Sequence, residues 1–303
     1  MSFSYMKLSR RQVRPLSYTA IASGAWRTQT LATEDHDLLA EVTLSSNQFT
    51  LQAGTYRIMC YAIAGFNPSY GHRARLQNTT DATTTLSGMN GYNKYGYSDD
   101  NSLIMGQFTI AAQKTFEIQN YVNSNCNEGA GVDTGEDYVW CIVILRKVDP
   151  AEAYALYSHV ATSGTGGGTL TTGAWRTSPI TTEDFDVGSY GSLASNQITL
   201  AAGTYEIFAS RPINNYSSSL MYGIKTRWQN ITDATTTLLS QSHNDQGWAV
   251  GRMIVLVGRF TIAAQKTFEL QASAGATYTT YGFGYPISIG SEKYAQVEIR
   301  KVA

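Results

Sequence analysis

"FTIAAQKTFE" occupies Phe108–Glu117 and returns, letter for letter, at Phe260–Glu269, 152 positions further on. The stretch holds no nucleophile, metal-ligand set or phosphate cradle, so its repetition has to be a matter of shape. Phe108 and Ile110 share one face; after a short turn, Phe116 and Ile118 alternate with Thr115, Glu117 and Gln119. Period-two alternation on both sides of a turn predicts a β-hairpin that sends apolar side chains into a sandwich core, once per copy.

Identity extends outward from that decapeptide. "GAWRT" starts at Gly24 and Gly173, "TED" at Thr33 and Thr182, "NQ" at Asn47 and Asn196, and "AGTY" at Ala53 and Ala202, all 149 apart. "QN" at Gln77 and Gln229, followed by "TDATTTL", shares the 152 offset, and "RKV" at Arg146 and Arg300 is offset by 154. Length changes that fall between motifs are what loops tolerate. The chain therefore reads as a tandem duplication, with domains over 24–148 and 173–303, an N-terminal arm over 1–23 and a linker over 149–172. In "TYRIMCYAI", Tyr56, Ile58, Cys60 and Ala62 share a face, as do Tyr205, Ile207 and Ala209 in the second copy. The linker opens at Asp149-Pro150, has a possible short helical piece over Ala151–Tyr157, and contains Gly166-Gly167-Gly168. No Lys-Ser/Thr follows those glycines, so they do not read as a phosphate loop. Short strands punctuated by turns, without a helical stripe, predict an all-β chain of two antiparallel sandwiches.

Composition sets outer bounds. The 22 Lys+Arg and 23 Asp+Glu leave a net charge of −1, which lacks the basic field that nucleic-acid binding requires. The first residues show no apolar core of a signal peptide, and no apolar run is long enough to span a membrane as a helix. Three cysteines, an odd count without metal-ligand spacing, point to folding in a reducing compartment.

The order "NQFTLQAGTYRI", "HRARLQNTTDATTTLSG", "GQFTIAAQKTFEIQ", "VILRKV", matched by "NQITLAAGTYEI", "IKTRWQNITDATTTL", "GRFTIAAQKTFELQ" and "YAQVEIRKV", resembles a jelly-roll module of bacteriophage structural and tail-fibre proteins. That module is similar to the globular heads of complement-q-type and tumour-necrosis-factor-like proteins. The resemblance covers nearly all of both copies and implies two tandem jelly-roll sandwiches, assembly as a homotrimer and no enzymatic activity. It supplies no catalytic residues to transfer, and the loops, where such modules bind partners, differ between the copies.

His36 and His72 stand where the other copy has Phe185 and Ile224, which makes them packing residues; His159 lies in the linker and His243 in a loop without triad geometry. Cys60 and Cys141 align with Ala209 and Ala295 as small core residues, while Cys126 is expected exposed and unpaired. Asp99, Asp100, Asp133 and Asp137, with Glu128 and Glu136 nearby, could offer oxygens to calcium, but they match no EF-hand order. Neither a metal nor a cofactor is expected. Tyr92, Tyr95 and Tyr97 in one loop, and Tyr278, Tyr281, Phe283 and Tyr285 in another, are candidate ligand loops or tiles of a subunit contact. Lys7, Arg10, Arg11 and Arg14 make the arm basic and a candidate for capsid docking. Ile142 and Ile144 form a second apolar face on a strand whose counterpart has Gln296 and Glu298, so a subunit, the other domain or the arm should cover them.

Two expectations follow. The first is a non-enzymatic virion protein, a capsid decoration or head-fibre component that contacts itself and other virion proteins. The second is a tail-associated module that recognises a host surface glycan or protein. Neither nucleic-acid binding nor membrane insertion is expected.

Overall fold

The computed structural model describes residues 4–12, 20–37, 39–64, 70–93, 100–127, 138–214, 220–248 and 251–302. The chain divides into two units, Met1–Pro150 and Ala151–Ala303. Unit 1 comprises β1 (Ser4–Gln12), β2 (Ala20–Ile21), β3 (Arg27–Thr28), β4 (Thr33–Asp37), β5 (Val42–Ser45), β6 (Gln48–Leu51) and β7 (Gly54–Ala64). It continues with β8 (Tyr70–Asn78), β9 (Thr83–Ser87), β10 (Gly91–Asn93), β11 (Asp100–Ile110), β12 (Lys114–Val122), β13 (Cys126–Asn127) and β14 (Tyr138–Val148). Unit 2 comprises β15 (Tyr154–Ala161), β16 (Arg176–Thr177), β17 (Thr182–Val187), β18 (Gly191–Ala194), β19 (Gln197–Leu200) and β20 (Gly203–Asn214). It ends with β21 (Leu220–Asn230), β22 (Thr235–Leu239), β23 (His243–Trp248), β24 (Gly251–Ile262), β25 (Lys266–Ser273) and β26 (Glu292–Lys301). Among the described residues no helix is long and apolar enough to cross a membrane.

Each unit is an antiparallel jelly-roll sandwich of a five-stranded and a seven-stranded sheet. The five-stranded sheets run β11-β7-β14-β1-β4 and β24-β20-β26-β15-β17; the larger sheets contain β5, β6, β12 and β8 in one unit and β18, β19, β25 and β21 in the other. Alternation explains the cores. In unit 1, Met6, Leu8, Ile58, Cys60, Cys141, Val143 and Leu145 from one sheet meet Phe49, Leu51, Leu76, Phe116 and Ile118 from the other. In unit 2, Tyr157, Ile207, Val297 and Ile299 meet Ile198, Leu200, Trp228, Phe268 and Leu270.

The opening decapeptide is an arch and not a hairpin. β11 pairs with β7, whereas β12 pairs with β6 and β8, so the Ala111–Gln113 turn carries the chain from one sheet to the other. Period-two alternation is the same for both connections; only the partner strands distinguish them. The arch sets Phe108 facing Phe116 across the core, with ring centroids 5.4 Å apart, and Phe260 facing Phe268 at 5.3 Å.

The other repeated motifs also do the same local work twice. Ser46-Asn47 and Ser195-Asn196 hold φ of 52° and 65° in both copies, the paired left-handed conformation of a two-residue hairpin turn. Asn47 Oδ1 accepts from Leu31 N at 3.3 Å, and Asn196 Oδ1 from Ile180 N at 3.2 Å. Tyr56 Oη donates to Gln52 O at 2.8 Å, and Tyr205 Oη to Ala201 O at 2.7 Å, which pins each "AGTY" corner. Asp81 bonds Asn78 and Lys114, as Asp233 bonds Asn230 and Lys266.

The segments expected as arm and linker each carry the first strand of a unit. β1 lies between β14 and β4, and β15 lies between β26 and β17. Tyr5 matches Tyr154 and Ser9 matches Ser158 at the same 149 offset, so each copy begins about one strand and one loop earlier than "GAWRT". Residues from Tyr154 are extended rather than helical. Gly167 N and Gly168 N donate to Gly284 O and Thr280 O at 2.9 and 3.0 Å, and Leu170 bridges Tyr278, so the glycine run is packed into unit 2.

Candidate functional site

Polar residues buried between the sheets are the places where chemistry could reside. In unit 1, Gln29, His72 and Asn120 are all buried. His72 Nε2 lies 3.1 Å from Asn120 Oδ1, and Asn120 Nδ2 donates to Gln29 Oε1. Burial pushes the His72 imidazole down to about 4, and Asn120 opposes this only in part, so the ring is neutral at pH 7. Gln29 Nε2 and His72 Nδ1 are buried without a hydrogen-bond partner, and the three residues supply no nucleophile or carboxylate.

Unit 2 fills the same level of its sandwich differently. Ser178, Ile224 and Ala272 replace Gln29, His72 and Asn120, and Arg211 enters where unit 1 has Ala62. The Arg211 guanidinium is 1% exposed, donates through Nη1 to Ser178 Oγ and lies over the Phe283 ring at 4.0 Å. Burial lowers its pKa to about 9. His159 is buried and tilted against Tyr294 at 5.2 Å; burial and the Arg211 charge lower it to about 4. The equivalent pair in unit 1 is Arg10, 4.7 Å over Trp140, so a bulged aromatic meets a basic side chain in both copies. The sequence marks His72 against Ile224 as a packing position; Asn120 against Ala272 and Arg211 against Ala62 carry the same polar-against-apolar signal between the copies, but it points to these residues only once strand pairing places them at one level of the core.

The basic residues of the expected arm are engaged within β1. Arg10 is buried, and desolvation brings its pKa to about 10. Arg11 Nε donates to Asp35 Oδ1 at 2.8 Å, and Lys7 Nζ lies 3.6 Å from Asp35 Oδ2. Burial raises the Asp35 pKa, but hydrogen bonds from Ser9 and Arg11 and the nearby cations outweigh it and hold the carboxyl below its ordinary value. Strand pairing thus removes the free basic arm that docking would need. Arg14 lies outside the described residues. Ile142 and Ile144 are half-buried, flanked in register by Ser9 and Lys7 of β1 and by Tyr61 and Met59 of β7.

The tyrosine loop of unit 2 turns inward. Tyr278 and Phe283 join a buried cluster with Leu170, Ile213 and Ile254, while Tyr281 and Tyr285 are half-buried against each other at 4.8 Å. Burial of the Tyr278 and Phe283 rings beside the glycine run takes those two residues out of the expected ligand loop, whereas Tyr281 and Tyr285 stay partly open. Tyr92 is buried; Tyr95 and Tyr97 lie outside the described residues. Asp99, Asp133, Asp137, Glu128 and Glu136 also lie outside them, and Asp100 opens β11 opposite Ala64. Among the described residues no group of three or more His, Cys, Asp or Glu side chains gathers as a metal site.

All three cysteines are buried and free. Cys126, expected exposed, packs with Ile21, Ala64 and Val122, because β13 pairs with β2. His36 is half-buried and tilted against Tyr5 at 5.4 Å, and His243 is half-buried opposite Ile224.

A repeated outward ladder also went unnoticed. Arg75 lies 4.2 Å over Trp26 and donates to Gln119 Oε1 and Thr84 Oγ1; Arg227 lies 4.4 Å over Trp175 and donates to Gln271 and Thr236. Glu117 and Glu269 accept from the flanking glutamines in the same way. Every donor named here meets an acceptor in the same ladder, which makes it a brace across β8, β9 and β12.

No family model matches this chain, and no curated protein matches it. Among solved structures it is similar to murine APRIL, with TM-score 0.32 and 9% identity, over 48% of this chain and 100% of that one. It is similar to a peptide-N(4)-(N-acetyl-β-D-glucosaminyl) asparagine amidase, with TM-score 0.38 and 8% identity, over 94% of this chain and 96% of that one. A structure of infectious bursal disease virus, Gx strain, follows with TM-score 0.27 and 9% identity, over 98% and 71%. Likenesses this low carry no argument about what this chain does.

Proposed function

We propose that this chain is a non-enzymatic structural protein of a virion, shown on the particle surface as a capsid decoration or head-fibre component and built from several copies of itself, three by the resemblance of its strand motifs. The observation that supports this reading is where the two copies agree. The repeated residues close the arch, pin the corners, cap the turns and brace the sheet, while the loops diverge. Duplication has kept a scaffold. The test is imaging of intact particles labelled on this protein. Label on the head at regular positions supports the reading, and unlabelled particles overturn it.

A second reading, a tail-associated module binding host glycan or protein, draws on the divergence of the loops between the copies. Competition of particle adsorption by purified protein separates the two, since a decoration protein leaves adsorption unchanged.

A further inference from the structure

Strand register sets Trp175, Ser273 and Lys225 in one row across the outer face of the larger sheet of unit 2. Arg176 pairs with Ala272 and Thr177 with Gln271, which continues to Trp175 beside Ser273, and Ser273 pairs with Lys225. The brace runs in the neighbouring row. Arg227 Nε donates to Gln271 at 2.8 Å and Nη1 to Thr236 at 3.1 Å, so the guanidinium lies along the sheet. Trp175 stacks on it at 4.4 Å, which covers one face of the ring; the residue is half-buried, and the other face turns away from the sheet. In unit 1 the same row is Trp26, Tyr121 and Arg73. There Tyr121 fills the middle, tilted against Trp26 at 5.7 Å, and Arg73 is buried with Nε donating to Asn90 Oδ1 at 2.9 Å. Unit 2 instead has a serine in the middle and a half-buried lysine at the end, and among the described residues Lys225 meets no carboxylate.

We propose that this row of unit 2 binds a saccharide that carries a carboxylate, a uronic or sialic acid residue. The open face of Trp175 offers flat apolar area to the C–H face of a pyranose, Ser273 leaves the gap beside it free, and the Lys225 ammonium receives the carboxylate. The strands at the two ends of the row lie two strand spacings apart, about 9–10 Å, which admits one sugar ring between indole and ammonium. Charge selects the acidic sugar. Glu269, two residues before Gln271, already accepts from Thr177, Gln197 and Gln271 and faces the Arg227 charge, so Lys225 is the cation left to be matched. The brace holds the indole in place before any ligand arrives, so little ordering is needed on binding. The proposal rests on the glycan-binding reading and gives it a face and a class of sugar.

The experiment is an array of immobilised saccharides bearing glucuronic, galacturonic or sialic acid, each beside its carboxyl-reduced form, probed with the purified full chain. Wild type should be retained by at least one acidic member and about fivefold less by its reduced form. Trp175→Ala should lower retention about tenfold. Lys225→Gln should bring the acidic member down to the level of the reduced one, and Ser273→Tyr, which copies unit 1, should block binding. Trp26→Ala should leave binding unchanged. Ser273 and Lys225 lie outside the brace, so those two variants should keep the wild-type circular dichroism and thermal midpoint. No retention on any acidic member, equal retention on the reduced forms, or a Ser273→Tyr protein that binds like wild type would overturn the proposal. Adsorption is scored separately. Protein that binds the array yet leaves particle adsorption unchanged removes the tail reading and keeps the site, whereas protein that competes for adsorption but ignores acidic sugars does the reverse.

Discussion

The Phe108 and Phe116 rings meet at 5.4 Å from opposite sheets of unit 1, joined by only three residues of arch, and Phe260 and Phe268 repeat the meeting at 5.3 Å. Phe116 also stacks on Phe49 at 5.8 Å and is fully buried. Replacing it with alanine removes a ring from the middle of the sandwich, where surrounding side chains collapse only in part. Phe116→Ala should lower the stability of unit 1 by about 3–5 kcal/mol in urea unfolding, and Phe268→Ala should do the same to unit 2.

Acid should loosen both units. His72 and His159 are held neutral, with pKa values near 4 when folded against 6.5 as the ordinary value. The unfolded chain binds these protons as pH falls below 6.5, and the folded chain does so only near 4. Their contribution is therefore whole above 6.5 and is lost as pH drops toward 4, by at most ~3 kcal/mol per histidine. Urea midpoints at pH 7 and pH 4.5 measure the loss. The double variant His72→Ile, Asn120→Ala, which copies Ile224 and Ala272, should flatten the dependence for unit 1.

Among the described residues Arg211 is buried against Ser178 and Phe283 with no carboxylate partner, and its Nε lacks a hydrogen bond. Desolvating a guanidinium costs more than one hydroxyl and one ring return. Arg211→Met keeps the volume and removes the charge, so unit 2 should gain about 1–3 kcal/mol, read as a higher urea midpoint.

None of the three thiols should react while the chain is folded. Cys60 and Cys141 are buried with Sγ atoms 4.0 Å apart, and burial pushes Cys126 up to about 12. Titration with a thiol-specific chromogenic reagent should find no reactive cysteine in the native protein and all 3 after denaturation. Rapid labelling of Cys126 in the native state would contradict its place beside Ile21.

Asn47 combines a left-handed φ of 65° with a hydrogen bond to Leu31 N. Asn47→Ala forfeits both and should cost about 1–2 kcal/mol, whereas Asn47→Gly keeps the backbone freedom and should cost less. Thermal unfolding of the two variants orders them.

Much of the fold was legible because neighbouring residues carry it. Alternation in "TYRIMCYAI", the Ser-Asn turn and the offsets of the repeat depend on spacing alone, and they mark strands, turns and duplication without any knowledge of partners. β1 and β15 were hidden for a related reason: only Tyr and Ser are shared between them, too little identity to flag a repeat, and a basic or glycine-rich flank draws the eye to tails and linkers.

By itself, then, the amino-acid order determined the class of structure, its doubling and the identity of the alternating core residues, since these follow from local periodicity. Which sheet each strand joins, whether the decapeptide turns back or crosses over, and whether a lysine, tyrosine or cysteine meets water were decided by tertiary structure. A side chain's exposure and partners depend on residues tens of positions away, and two strands with the same alternation have no local mark of which neighbour they will find.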